Sequence, residues 1–204
     1  MRRITVSLLF TVMSVLAGAD AYTDHRGHDV DSLEAVVARW TAPMIETASD
    51  EQLIRLVMDW RELMLGYLQT NSVKSSYYAR LALRLAEQKG WAKSVYDASK
   101  VIGQHFWARE QYDSAAFYYE MAMQAAEAIT VDGTEEGRDK VYTQRDIDNA
   151  LSQMYGTLGN LYSMMDSISV AMDYYEKAGV LFKKYGWNNS CSILYYNMGE
   201  TMRE

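Results

Sequence analysis

The feature that most constrains this chain is a short pattern of bulky and small residues that occurs four times. In each copy an aliphatic residue lies three positions after the first residue, a mostly small residue follows directly, and a bulky residue lies three positions further on. The four copies are Trp60-x2-Leu63-Met64-x2-Tyr67, Ser99-x2-Ile102-Gly103-x2-Phe106, Tyr155-x2-Leu158-Gly159-x2-Tyr162 and Tyr195-x2-Met198-Gly199-x2-Met202. Spacings of three and four residues place such positions on one face of a helix, so the pattern predicts a repeated amphipathic helix.

A second pattern follows each of the first three copies, again at helical spacing. It reads Ser75-x3-Ala79-x2-Ala82, Ala115-x3-Tyr119-x2-Ala122 and Ala171-x3-Tyr175-x2-Ala178. Small residues recur where two helices must approach closely, and bulky residues fill the adjoining gaps. Each pair of patterns therefore predicts a helical hairpin held by interlocking small and large side chains. A β-sandwich or barrel is disfavoured, because the 204 residues include a single proline and few turn signals.

Together the two patterns resemble the tetratricopeptide repeat (TPR), whose signature is W-x2-L-G-x2-Y, then A-x3-F and A, then P. The resemblance covers about residues 50–204, and the unit Tyr155–Ala178 matches most closely. The first unit has Met64 in place of the signature glycine, and the closing proline is absent because Pro43 is the only proline. The resemblance implies an all-α, TPR-like helical-hairpin solenoid of about three hairpins plus a trailing helix.

Local signals predict where several of these helices begin and end. Gly90 and Gly186 each follow a helical stretch and precede a tryptophan, which is typical of a glycine C-cap. Ser49 and Gln52 have the spacing of a capping box, which predicts that the first repeat begins there.

The repeats are not evenly spaced along the chain. The step from Ser99 to Tyr155 is longer than its neighbours, and the extra residues fall within 130–149. We interpret this insertion as a polar, solvated loop near 132–137 with both flanking helices extended.

The N-terminus has the order of features typical of an export signal. Basic residues are followed by an uncharged, largely apolar run over 4–19 and then by a small-x-small cleavage site. We expect a signal peptide at 1–21 and an exported bacterial protein, periplasmic or secreted; the alternative is an uncleaved membrane anchor. For residues 22–48 we predict a disordered tail and a short entry helix that Pro43 interrupts or ends. The repeat array then covers 49–204.

Composition and motifs argue against several classes of function. The 20 Lys and Arg against 27 Asp and Glu give a net charge of −7, which disfavours a nucleic-acid partner for this segment. His25 and His28 lie among carboxylates, but nothing in the sequence fixes a metal geometry, so no metal is expected. We interpret His105 as a helix-surface residue and Cys191 as a half-buried, unreactive thiol. Without a nucleophile elbow, a phosphate-binding glycine loop or a metalloprotease helix, we expect no enzyme and no cofactor.

The TPR resemblance implies a concave groove, lined by the first helix of each hairpin, that takes a peptide or a partner protein. The residues at the groove-facing repeat positions include Arg61, Leu65, Leu68, Asp97, Lys100, Gln104, Trp107, Gln153 and Asn160. Lys100 and Gln104 only approximate the Lys and Asn pair with which some family members clamp a carboxylate. A mixed groove with an apolar end suits an amphipathic or extended peptide better. The alternative for Leu65 and Leu68 is packing against neighbouring helices.

Two functions remain open on these residues. The first is an exported protein–protein interaction scaffold. The second is the extracytoplasmic sensor portion of a larger signalling protein, a histidine kinase or helix-turn-helix regulator, whose C-terminal part is missing. The last helix is expected to expose Tyr195, Met198 and Met202. Either this helix is itself the cap of the array or the chain continues beyond it, and we expect the second. Membrane contact is expected only through the signal segment or that missing part.

Overall fold

The computed structural model describes residues 30–131 and 142–203, and this part of the chain contains helices and no strand. Its helices are α1 (Val30–Val37), α2 (Ala42–Thr47), α3 (Asp50–Gly66), α4 (Ser72–Lys89), α5 (Ala92–Trp107), α6 (Tyr112–Ala128), α7 (Gln144–Met164), α8 (Ile168–Tyr185) and α9 (Asn188–Met202). The all-α prediction is confirmed for these residues. The predicted signal peptide at 1–21, the tail at 22–29 and the loop at 132–137 lie outside them.

Three predicted helix ends, at Ser49, Gly90 and Gly186, are found where the sequence signals place them. The Ser49 side chain accepts a hydrogen bond from the Gln52 backbone, and the Gln52 side chain accepts one from the Ser49 backbone, which completes a capping box. Gly90 and Gly186 end α4 and α8 with φ angles of 70° and 67°. A left-handed backbone of this kind strains any residue with a side chain, so glycine is favoured at both positions.

Two sequence expectations about helix boundaries are wrong. Helix α1 ends at Val37, well before Pro43, and Pro43 instead lies in the first turn of α2. Proline is tolerated there because the first backbone N–H groups of a helix have no intrahelical partner. The insertion extends only one of its neighbours: α7 has 21 residues, whereas α6 has 17, as α3 has.

The described residues divide into two compact units, with the division inside α7. In the first unit, which ends at Met154, α3 packs on α4, α4 on α5 and α5 on α6. Helix α3 also contacts α5, and α1 packs on α3. In the second unit, which begins at Tyr155, α8 packs on α9 and on the end of α7. No helix in residues 30–131 and 142–203 has both the length and the apolar character of a membrane span.

A contact between a glycine and a tyrosine ring holds two of the helix pairs together. A Cβ placed on Gly103 would lie 2.8 Å from the ring of Tyr119, and one placed on Gly159 would lie 2.5 Å from the ring of Tyr175. Both rings and both glycines occupy the predicted interlock positions. At the same two positions, the α3–α4 pair has Met64 and Ala79, both fully buried in one core. The first pair therefore places the large side chain on its first helix.

A stacked aromatic pair accompanies the interlock in three helix pairs. The ring centroids of Tyr67 and Tyr78 are 6.3 Å apart, those of Phe106 and Tyr118 are 5.4 Å apart, and those of Tyr162 and Tyr174 are 5.7 Å apart. The ring planes differ by 8° to 11°. The first ring of each pair belongs to the predicted pattern, and the second comes from the residue just before the interlock position. The contact that recurs between helix pairs therefore involves two consecutive residues of the second helix.

A polar contact fixes the entry helix α1 within the first unit. Glu34 accepts hydrogen bonds from Lys74 Nζ at 2.8 Å and from Tyr78 Oη at 2.7 Å, and Lys74 also lies 4.7 Å from the centre of the Tyr67 ring. The hydrogen bond from Lys74 is the main reason that the pKa of Glu34 is lowered. These contacts give α1 a defined position beside α4.

Candidate functional site

A group of charged side chains lies where α3 and α5 meet in the first unit. Arg61 comes from α3, and Lys93, Asp97 and Lys100 come from α5. The three α5 residues are spaced by four and three positions, so they share one face of that helix. We call these four residues, with Tyr96 of α5, the Asp97 cluster.

Asp97 is the centre of this cluster. Its Oδ2 accepts a hydrogen bond from Arg61 Nε at 2.8 Å, and its Oδ1 accepts one from Lys93 Nζ. The carboxylate is buried, and the two cationic side chains are mostly buried. Arg61 is 36 positions away in sequence, so this ion pair ties the first helices of two consecutive hairpins to each other.

Burial and neighbouring charges shift the pKa values of the cluster in opposite ways. Burial disfavours a charged Asp97, but Lys93 and Arg61 outweigh it and hold the pKa of Asp97 far below its usual range. Burial lowers the pKa of Lys93 to about 8, because the attraction of Asp97 compensates only in part and Arg61 repels the ammonium group. Near neutral pH the pair is ionised, and Lys93 loses its charge at mildly alkaline pH.

The ring of Tyr96 lies close to the ammonium groups of both lysines. Lys93 Nζ lies 5.2 Å and Lys100 Nζ 5.0 Å from the centre of its ring, within the range of a cation–π contact. Burial is the main cause of the raised pKa of Tyr96, so its phenol stays neutral. The ring therefore positions two cations without adding a negative charge.

The charges of the cluster suit an anionic group. Arg61, Lys93 and Lys100 bring three positive charges to the neighbourhood of Asp97, in a chain whose net charge is −7. Guanidinium and ammonium groups form short charge-assisted hydrogen bonds with carboxylates. A carboxylate-bearing segment of another molecule is therefore the chemistry that the cluster fits.

The other predicted groove residues of the first unit are only partly available. Leu65 is 39% exposed, whereas Leu68 is half-buried and packs against the core, as the alternative interpretation held for it. Gln104 is half-buried, and Trp107 lies edge-on against Tyr119 with 5.9 Å between ring centroids. The apolar part of this surface is therefore mainly Leu65, one helical turn after Arg61.

The two predicted residues on α7 lie in different surroundings. Gln153 is half-buried near the end of the first unit. Asn160 is buried in the second unit, where its Oδ1 accepts hydrogen bonds from Tyr175 Oη at 2.8 Å and Asn197 Nδ2 at 2.9 Å. Tyr175 belongs to α8 and Asn197 to α9, so the side-chain oxygen of Asn160 forms its hydrogen bonds within the second unit.

Lys93 and Tyr96 were not among the sequence-predicted residues. The spacing of four between Lys93 and Asp97 is the signal that could have found the lysine, because such a pair on a helix is an ion-pair spacing. Tyr96 carried no signal of its own, since its role depends on burial between helices.

The remaining candidates are the histidines and the one cysteine. His105 is half-buried, and burial is the main cause of its lowered pKa, followed by Arg109 and Arg80. Cys191 is half-buried near the start of α9. Within residues 30–131 and 142–203 no three His, Cys, Asp or Glu side chains form a metal-binding group, and His25 and His28 lie outside these ranges.

No protein-family model matches this chain, and comparison with curated proteins finds no significantly similar sequence. The repeat-like helix packing and the Asp97 cluster are accordingly the observations on which a functional proposal rests.

Proposed function

We propose that this protein is an exported TPR-like scaffold that binds an acidic, partly apolar segment of another protein through the Asp97 cluster. The observation that carries the proposal is the gathering of Arg61, Lys93 and Lys100 around the Asp97 carboxylate, on the first helices of two hairpins. Exposed Leu65 lies four residues after Arg61 and supplies an apolar contact beside the cations.

The repeated helix contacts support the scaffold part of the proposal. The interlock and the stacked rings recur between α5 and α6 and between α7 and α8. Arrays of such hairpins present side chains of successive first helices side by side. In the first unit, α3 and α5 are such neighbours, and the Arg61–Asp97 hydrogen bond joins them.

The electrostatics support an acidic partner. An anion at the cluster would meet cations whose positions are already fixed by Asp97 and by the Tyr96 ring, so little side-chain entropy is lost on binding. The attraction depends on ionic strength, and we expect the affinity to fall as salt is added.

A displayed peptide library selected on the purified protein tests the proposal. We expect the enriched peptides to contain Asp or Glu next to a bulky apolar residue. Lys100→Gln is expected to lower the affinity for a selected peptide about tenfold, which corresponds to the loss of one charge-assisted hydrogen bond. Lys100 is suited to this test because Lys93 and Arg61 remain to neutralise Asp97.

Lys177→Gln is the matched control. Lys177 also lies over tyrosine rings, 5.8 Å from Tyr155 and 5.2 Å from Tyr174, but in the second unit. We expect it to leave the affinity unchanged. Selected peptides without acidic residues, or equal losses in both variants, would contradict the proposal.

The export part has its own support and its own test. The basic, apolar and small-residue segments at 1–21 follow the order of a signal peptide. N-terminal sequencing of the protein recovered outside the cytoplasm is expected to begin at Tyr22, and recovery of the intact chain from the cytoplasm would argue against export.

A further inference from the structure

Helix α9 carries both halves of the repeated hairpin contact. Its first-helix pattern includes Tyr195, Gly199 and Met202. The same helix also contains Ser192-x3-Tyr196-x2-Gly199, which has the small-x3-aromatic-x2-small form of the second helices. At helical spacing, these five residues fall on one face of α9.

That face is exposed, whereas the opposite face of α9 is used inside the second unit. Leu194 is buried, Asn197 donates to Asn160, and Thr201 lies 2.9 Å from the Ser163 hydroxyl. On the outer face Tyr195 is 49%, Tyr196 56% and Met202 64% exposed. Tyr195 retains one contact there, with Lys183 Nζ 5.5 Å from its ring centre.

Gly199 differs from its two equivalents in one respect. At Gly103 and Gly159 an added Cβ would meet a tyrosine ring, whereas a Cβ at Gly199 would meet no atom within 4 Å. In the α5–α6 and α7–α8 pairs, the antiparallel second helix supplies that ring, and its preceding aromatic stacks on the residue three positions after the glycine. The equivalent positions on α9 are Gly199 and Met202, and both lack such a partner in the described part of the chain.

We propose that the outer face of α9 binds α9 of a second copy of this chain, in antiparallel orientation. A two-fold axis passing between Asn197 and Met198 sets each Gly199 beneath Tyr196 of the second copy. The same axis brings each Met202 against Tyr195 of the second copy. Because each helix supplies both the glycine and the rings, the contact is self-complementary, as a two-fold interface requires.

The charge of α9 favours a second copy as the occupant. The residues Asn188–Arg203 contain one acid, Glu200, and one base, Arg203, which form an ion pair at 3.1 Å. The helix is therefore neutral in a protein whose net charge is −7. Apart from Lys183, which lies over Tyr195, this face brings no net charge to the contact, so two copies approach with less repulsion than the net charge of the chain would impose.

Sedimentation equilibrium of the full chain over a dilution series tests this dimer. We expect the wild type to be a dimer that dissociates on dilution. Gly199→Leu fills the space that the ring would occupy, and Tyr196→Ser removes the ring. Each variant is expected to be monomeric over the same concentrations, with an unchanged circular dichroism spectrum, since neither residue contributes to the buried face of α9.

Two control variants keep the test specific. Gly156→Leu adds the same side chain to another helical glycine with open space around it, and Phe117→Ser removes an exposed ring from α6. Both are expected to remain dimeric. A wild type that is monomeric throughout, or a dimer that persists in Gly199→Leu and Tyr196→Ser, would overturn the proposal.

A photo-crosslinking amino acid at position 196 gives an independent readout. The crosslinked dimer is expected to join position 196 of one copy to a peptide containing Gly199 and Met202 of the other. A crosslink to another segment of the second copy, or to another protein in place of a second copy, overturns the assignment.

Discussion

Gly159 packs against the ring of Tyr175 so closely that a Cβ on the glycine would be 2.5 Å from two ring carbons. Tyr175 has little freedom to move away, because it is buried and its hydroxyl donates a hydrogen bond to Asn160. The contact therefore requires a glycine on α7, although glycine weakens a helix by about 1 kcal/mol relative to alanine.

Gly159→Ala is expected to lower the free energy of unfolding by about 1–3 kcal/mol, because the overpacked methyl group outweighs the gain in helix propensity. Urea denaturation monitored by circular dichroism measures the change. Gly156→Ala, three residues earlier on the same helix, is the control: no atom lies within 4 Å of its added Cβ. The free energy of unfolding of Gly156→Ala is expected to rise by about 0.5–1 kcal/mol. Equal effects at the two positions would contradict the close contact.

Asp97→Asn is expected to destabilise the protein by about 3–5 kcal/mol, because it leaves Lys93 and Arg61 without their buried counter-charge. Glu51→Gln is the comparison, since Glu51 forms an exposed ion pair with Arg55. The side chain of Arg55 is 72% exposed and that of Glu51 is 76% exposed. Removing that pair is expected to cost under about 1 kcal/mol. A loss of that small size at Asp97 would show that solvent reaches the cluster.

The lowered pKa of Lys93 gives a pH-dependent stability. Burial lowers the pKa of Lys93 to about 8 in the folded protein, whereas the ordinary value of 10.5 applies to the unfolded chain. Between these values the unfolded chain binds more protons, so stability is expected to rise with pH, by up to about 1.4 kcal/mol per unit from this one group. Above about pH 10 the buried tyrosines with raised pKa values, such as Tyr119, oppose the rise.

Urea midpoints measured between pH 7.5 and 9.5 test this contribution. Lys93→Met keeps an extended apolar side chain and removes the titrating group, so its stability is expected to vary less over this range. A wild-type curve that runs parallel to that of Lys93→Met would contradict the assignment.

Ser99 is a buried residue whose hydroxyl has no hydrogen-bond partner in the described part of the chain. Ser99→Ala is expected to raise the free energy of unfolding by about 1 kcal/mol, since the cost of burying an unpaired hydroxyl is removed. Ser75→Ala should have the opposite effect, because Ser75 Oγ donates to the backbone oxygen of Met64 at 2.6 Å. Thermal unfolding of the two variants compares them, and a loss of stability in Ser99→Ala would argue for a partner.

Local features of the fold could be predicted from sequence because their determinants lie close together along the chain. The Ser49 capping box and the Gly90 C-cap each depend on a few consecutive residues. The interlock of Gly103 with Tyr119 was also predictable, since both residues recur at fixed spacing in neighbouring helices. The stacked ring of Tyr118 was missed because only one of two adjacent tyrosines had been assigned to the pattern.

The candidate site was less predictable, because it depends on how helices pack. Arg61 and Asp97 are separated by 36 positions, and no local spacing indicates that they form an ion pair. Asn160 had a groove-facing repeat position, yet Asn197 and Tyr175 reach it from two other helices and enclose it. Repeat position predicts the face of a helix, whereas the neighbours that cover that face come from distant parts of the chain.

In the α3–α4 hairpin the large side chain lies on the first helix, whereas in the other two pairs it lies on the second. This difference has a consequence for exchanging helices between the hairpins. Met64 and Ala79 fill the space that a glycine and a tyrosine fill in the other two helix pairs. A chimera joining α3 to α6 would set Met64 against Tyr119 and collide, whereas α5 joined to α4 would leave a void beside Gly103. The hairpins are thus similar in design but not interchangeable, and recombination within the array is restricted to whole hairpins.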